Sequence, residues 1–478
     1  MSQPLIIQGG MGVAVSNWRL ARSVAQLGQL GVISGTLLAV VFARRLQAGD
    51  PDGHMADAMV HFPLPTIAER VLATYFVPGG KQVGIPFKPV AMPGVNLSKP
   101  LNELTVLANF VEIHLAKQGH ANPIGINLLE KIQVATLASI YGAMLAGVDY
   151  VLMGAGIPRE IPGVLDRFAA GEAAEINIDV LGAPSGTKTL ARFDPKDLFN
   201  GPAPQLRRPQ FLAIVSSATL AITLAKKSTG RVDGFIVEGD VAGGHNAPPR
   251  GQLQLSAIGE PVYGPRDVPD LPKIAAIGLP FWLAGAYAEP AKIAEARAVG
   301  ATGVQIGTAF AFCDESAVRT DLKREVCRLA LSGKAGVYTD PLASPTGFPF
   351  KVLQVEGSLS AENVYAARPR VCDLGYLRDP YARADGSIGY RCAAEPAEDY
   401  VRKQGEAPAL AGRKCLCNGL LATAGLGQTR SDGSIEPPIL TAGNDVSQLA
   451  RFIPAGQESY TAADVIHYLL GDAAPAPA

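Results

Sequence analysis

Eight short apolar runs, separated by mostly helical segments, constrain this chain more than any other feature. They fall at residues 5–8, 31–34, 124–127, 150–153, 211–215, 234–237, 281–284 and 303–306. Runs this short, rich in Val, Ile and Phe, read as buried strands, while stretches such as "NWRLARSVAQLG" and "ATLAITLAKKS" carry the helical period. Eight strands in βα alternation is the count of a (β/α)8 TIM barrel, the α/β fold expected here. An open doubly wound sheet would show the same period, because periodicity does not reveal closure.

Two segments interrupt the rhythm. Between about 50 and 100, proline-rich connections such as "FPLPTI" and "VPGGKQVGIPFKP" surround one helix expected at 67–75. The stretch near 175–205, including "LGAPSGTKTLARFDPKDLF", reads as a β-ribbon or loop. Beyond about Val337 the alternation stops. The expected division is therefore a barrel with insertions over 1–336 and a C-terminal extension, or small cysteine-containing domain, over 337–478. "YTAADVIHYLL" reads as a last helix and "GDAAPAPA" as a frayed tail.

Composition narrows the function classes. With 48% hydrophobic residues among 478, the chain can bury a large core. Its 42 basic and 43 acidic residues nearly cancel, which gives no support to an electrostatic nucleic-acid binder. "LGVISGTLLAVVFA" is too short to span a bilayer and runs straight into two arginines. "MSQPLIIQGG" lacks a signal core, so the expectation is a cytoplasmic protein without nucleic-acid or membrane partners. A homo-oligomer is compatible with the sequence.

The βα junctions carry the chemistry. Gly9, Gly10, Gly154, Gly156, Ser216, Ser217, Gly239, Gly285 and Gly307 all follow apolar runs. In a barrel these positions share the C-terminal face, where active sites gather. The last two junctions, "WLAGAYAEP" and "VQIGTAFAF", stand where barrels bind phosphate. Gly285 and Ala286 would offer backbone donors there, and Gly307 and Thr308 would add backbone donors and a hydroxyl. Tight turns alone would also use such glycines.

His245, one of six histidines, follows the sixth run in "IVEGDVAGGHNAPPRG". It is either a satisfied loop histidine or a group that holds or moves a proton at the barrel mouth. It has no neighbouring His or Cys with ligand spacing, so no metal is expected there. Cys372, Cys392, Cys415 and Cys417 lie outside the barrel. "CLC" has one intervening residue rather than the two to four of zinc knuckles. Reduced, metal-free thiols packing the extension are the expectation, with zinc or an iron–sulfur centre as the alternative. Cys313 and Cys327 read as barrel core.

In order, "IIQGGMG", "GINL", "GAGIP", "VEGDVAGGH" and "GVQIGTAF" resemble the nitronate monooxygenase family, over roughly residues 4–315. Flavin-dependent enoyl-acyl-carrier-protein reductases share that superfamily. The resemblance implies an FMN-binding barrel in which Gly10 and Met11 back the flavin ring, with Gly9 and Gln8 beside it. It implies that Asn127 hydrogen-bonds the flavin, that Ser216 or Ser217 lies near the ring edge or the ribityl chain, and that Gly244 is close to the cofactor. Gly285, Gly307 and Thr308 match phosphate-binding positions. His245 matches the family histidine that acts as a base or positions the substrate, and a protonated His245 would orient an anionic nitronate, with Arg250 as a second cation.

The activity implied is oxidation of alkyl nitronates with O2. The alternative is NAD(P)H-dependent reduction of an enoyl thioester, and a non-enzymatic barrel scaffold ranks below both. The two insertions, the cysteine-bearing C-terminal region and the "NAPPRG" continuation depart from a simple member.

Overall fold

The computed structural model describes residues 3–199 and 201–471. The tail "GDAAPAPA" lies almost wholly outside them. Eight parallel strands form one sheet: β1 (Ile6–Gln8), β2 (Gly31–Ser34), β3 (Ile124–Leu129) and β4 (Tyr150–Gly154) in the first part of the chain. The insertion supplies β5 (Ala174–Asn177) and β6 (Leu190–Phe193), and the sheet continues with β7 (Gln210–Val215), β8 (Gly234–Glu238), β9 (Phe281–Ala284) and β10 (Gly303–Ile306). The order β1-β10-β9-β8-β7-β4-β3-β2 has β1 and β2 at its ends. Gln8 N–H donates to Leu30 O at 2.9 Å and Leu30 N–H to Ile6 O at 3.1 Å, which joins those ends. The barrel is closed.

Strand alternation sorts the side chains into two layers. Ile7, Val32, Leu152, Leu212, Ile236 and Trp282 belong to a cluster inside the barrel. Ile6, Ile33, Val151, Ala213, Phe235 and Leu283 face outward into the layer shared with the helices. Trp282 satisfies its indole inside by donating to Pro4 O at 2.8 Å. No described helix is long and apolar enough to cross a membrane.

The first insertion holds more helix than its prolines suggest. Besides Pro65–Tyr75, a short helix spans His54–Val60. Asp50 caps it from outside, its carboxylate accepting Met55 N–H at 3.2 Å and Ala56 N–H at 2.9 Å. The second insertion is an antiparallel β5–β6 ribbon, as the sequence suggests.

Beyond the barrel, β11 (Val337–Asp340) pairs with β12 (Phe350–Leu353), and β13 (Asp379–Ala382) pairs with β14 (Ile388–Arg391). The last helix, Ala462–Leu470, starts at a capping box between Thr461 and Asp464. Val352, Leu421, Ile439 and Ile466 from this region join the same apolar core as the barrel helices.

Candidate active site

The C-terminal ends of the strands open into a cavity of about 230 Å³. Around it the aliphatic lining gives way to Asn127 from β3, Glu238 from β8 and Gln305 from β10. Asn127 Nδ2 donates to Gly10 O at 2.9 Å. Asn127 Oδ1 and Gln305 Oε1 are buried and have no partner among the described residues. An unmet buried acceptor costs about 1–3 kcal/mol; both side chains belong to the cavity wall, with these two oxygens closed off from its open space.

The first junction is held rigid by Ser16, whose hydroxyl donates to Gly9 O and accepts Met11 N–H, both at 2.9 Å. Gly10 packs so closely that a Cβ would collide with Asn127 Cβ. After β9, Gly285 has φ +102° and a Cβ there would stand 2.9 Å from Val241. These backbones line the cavity directly because no side chain intervenes.

His245 lies in a loop strapped down by the C-terminal region. Lys351 N–H donates to Gly244 O at 2.9 Å, Asn246 N–H to Pro349 O at 2.9 Å, and Gly244 N–H to Thr441 Oγ1 at 2.8 Å. His245 Nε2 is 2.7 Å from Ser344 Oγ, and the Phe350 ring meets the imidazole edge-on at 4.8 Å. Burial pushes its pKa down to about 4. The imidazole is therefore neutral at pH 7, which corrects the expectation of a protonated His245 orienting an anion.

A second cavity, also about 230 Å³, adjoins the first and shares Glu238 and His245 with it. Burial pushes Glu238 up to about 7 from an ordinary 4.5. With the folded value raised, the unfolded chain loses its proton first, and stability falls as pH rises from 4.5 to 7. Glu238→Gln removes that cost. Its melting temperature should exceed the parent's at pH 8, with the gap closing towards pH 4.5. A gap independent of pH would show that Glu238 is ionised throughout.

Gly9, Gly10, Met11, Asn127, Gly244, His245, Gly285, Ala286, Gly307 and Thr308 all line the main cavity. Gln8 does not. With Ile7 inside the barrel, the strand period turns Gln8 outward, where its Oε1 accepts Val32 N–H at 3.0 Å and its Nε2 donates to Ser16. Ser217 is instead the N-cap of the helix Ala218–Lys227, accepting Leu220 N–H at 3.2 Å. Ser216 and Arg250 line the second cavity. The Thr308 hydroxyl accepts Gly443 N–H at 2.9 Å and bonds the Asp445 carboxylate, which burial pushes up.

Sequence reasoning missed the wall built by the C-terminal region, including Leu377, Leu416, Cys417, Thr441 and Asp445. One signal was present: "PILTAGND" repeats the pattern of an apolar run ending in a glycine junction.

Residues 205–332 match the family model for nitronate monooxygenase. That span runs from β7 past β10 and includes His245, Gly285 and Gly307. A 143-residue stretch is 28% identical to (3aS,4S,5R,7aS)-5-hydroxy-7a-methyl-1-oxo-octahydro-1H-indene-4-carboxyl-CoA dehydrogenase of Mycobacterium tuberculosis (strain ATCC 25618 / H37Rv). The match covers 30% of this chain and 36% of that enzyme. Among solved structures, FabK from Thermotoga maritima is 16% identical, with 98% of this chain and 92% of that one covered at a TM-score of 0.46. Nitroalkane oxidase from Streptomyces ansochromogenes is also 16% identical, with coverages of 98% and 94% at a TM-score of 0.43.

Proposed function

We propose that this chain is an FMN-dependent oxidoreductase that oxidises alkyl nitronates with O2, with His245 acting on the substrate. The observation that carries the reading is a neutral imidazole, anchored to Ser344, at the junction of two cavities. The family match over the same loop supports it.

The residues present fit a flavin. Asn127 and Gln305 place amide groups in the cavity wall, suited to the polar edge of its ring. The Gly9–Met11 backbone supplies a flat wall, and the Gly285, Ala286 and Gly307 backbones stand where a phosphate would be met. Asp445, bonded to the Thr308 hydroxyl, stands at the same end of the cavity, and burial raises its pKa. When bound, the flavin supplies an acceptor for the substrate's electrons.

The chain's own residues do the rest. Ser344 fixes one nitrogen of His245 and leaves Nδ1 for the substrate. A neutral imidazole can take a proton from the carbon next to a nitro group, or donate its N–H to a nitronate oxygen. Phe350 and Phe348, set against the ring, keep water from competing for it.

A second reading, reduction of an enoyl thioester with NAD(P)H, is favoured by the second cavity, which gives a longer acyl chain room beyond His245. The mycobacterial relative, named as the dehydrogenase of a carboxyl-CoA, supports the same reading. One experiment separates the two. The flavin is released and weighed, and the purified protein is mixed anaerobically with nitronates, NADH, NADPH and enoyl thioesters while flavin absorbance is followed. The expected result is FMN, bleached by a nitronate without nicotinamide and reoxidised by O2. Bleaching by NADH or NADPH, with thioester turnover and inert nitronates, would replace the first reading by the second. FAD, or no flavin after reconstitution, would remove the FMN assignment.

A further inference from the structure

Cys372, Cys392, Cys415 and Cys417 carry chemistry that the flavin reading does not use. They come from three separate stretches: Cys372 precedes β13, Cys392 directly follows β14, and Cys415 caps the helix Leu416–Thr423, which contains Cys417. The fold nevertheless brings all four to the wall of one small cavity, with room for about one water molecule. None is in a disulfide.

Asn418 Nδ2 lies 3.5 Å from Cys415 Sγ. A neutral thiol is a weak acceptor, and four thiols around one gap, with an amide N–H turned to one of them, are suited to thiolates held by a metal centre.

The gap bears on which kind of centre. Among the described residues, no group of three or more His, Cys, Asp or Glu side chains is placed to hold a metal ion as it stands, so the sulfurs must shift to ligate one. Tetrahedral zinc would draw four sulfurs to about 2.3 Å from one point and leave no room between them. A cluster interposes iron and sulfide, so its cysteines stand farther apart around a gap. Metal–sulfur bonds are shorter than van der Waals contacts, and the gap is accordingly smaller than the cluster it holds.

We propose that Cys372, Cys392, Cys415 and Cys417 bind an iron–sulfur cluster. This replaces the expectation that these thiols only pack the extension. Leu377, Leu416 and Cys417 line both this cavity and the main one, so the cluster sits one side-chain wall from the active site. The cluster assignment stands independently of the flavin and of its substrate.

The test is elemental. Full-length protein, purified anaerobically and reconstituted with ferrous iron and sulfide, is assayed for iron, zinc and acid-labile sulfide. Electron paramagnetic resonance follows after dithionite reduction. The expected result is iron and sulfide in equal amounts, about two or four of each per chain. Cys392→Ser and Cys415→Ser should lose most of that iron, while Cys327→Ser, whose thiol lies in a barrel helix, should keep it. If either cluster variant fails to fold, the half-buried Cys372→Ser and the parent's own sulfide content carry the decision. Zinc without sulfide, no metal, a Cys372–Cys392 disulfide, or iron that survives the cysteine variants would each overturn the assignment.

Discussion

Replacing His245 with alanine is expected to slow flavin reduction by ~10²–10⁴-fold, the usual worth of a general acid–base or positioning imidazole, while FMN affinity changes little. The two halves separate because His245 is tied to Ser344 and Phe350 rather than to the glycine junctions at the far side of the cavity. The loop is also held by its backbone, through Gly244 and Asn246, so losing the imidazole leaves its path intact. Stopped-flow reduction and an FMN titration on the same variant measure both effects. A loss below about threefold would remove His245 from the chemistry, because a factor that small is within ordinary packing effects.

The pH profile gives an independent check on the same residue. With its pKa pushed down to about 4, His245 stays neutral through the neutral range, and kcat/KM should fall on its account only as pH approaches that value. A free imidazole would step near 6.5. Any step near 7 is instead expected from Glu238, and Glu238→Gln should abolish it.

The barrel was legible because its strands are short, apolar and evenly interleaved with helices, a pattern that survives without knowledge of any contact. Its closure was not legible, since that rests on the bridge between Ile7 and Leu30. The helix His54–Val60 was hidden because its cap, Asp50, lies behind a proline and a glycine that read as loop. Gln8 was placed at the flavin by family resemblance, although the strand period already opposed it: if Ile7 points inward, its neighbour points out. The glycine junctions and His245 reached the cavity because strand ends fix them locally. Thr441, Asp445 and Cys417 arrive there only through tertiary packing of the C-terminal region, which carries no comparable period.

That region should also be where a single substitution costs most stability. Glu436 is almost wholly enclosed, its side chain 2% exposed, and it pairs with Arg368, 7% exposed, and with Arg430, 16% exposed. Arg430 reaches on to Asp373 at 2.7 Å, and Asp373 holds Asn418 at 2.6 Å beside the cysteines. Removing one member of a buried ion network costs about 3–5 kcal/mol, chiefly because the remaining charges stay buried without compensation. Glu436→Ala strands Arg368, whose Nη2 is already unpaired, and leaves Arg430 with Asp373 alone. Against a typical total of about 5–15 kcal/mol, such a loss should lower the denaturation midpoint sharply. Chemical denaturation followed by circular dichroism measures it. The double substitution Arg368→Met with Glu436→Leu should recover much of the loss, since an apolar pair of similar volume leaves one fewer charge to solvate. A single-variant loss below about 1 kcal/mol would mean the network contributes no more than a surface pair, and the wall it supports beside the cavity would then owe its stability to Leu421, Ile439 and Leu440 packing against the barrel.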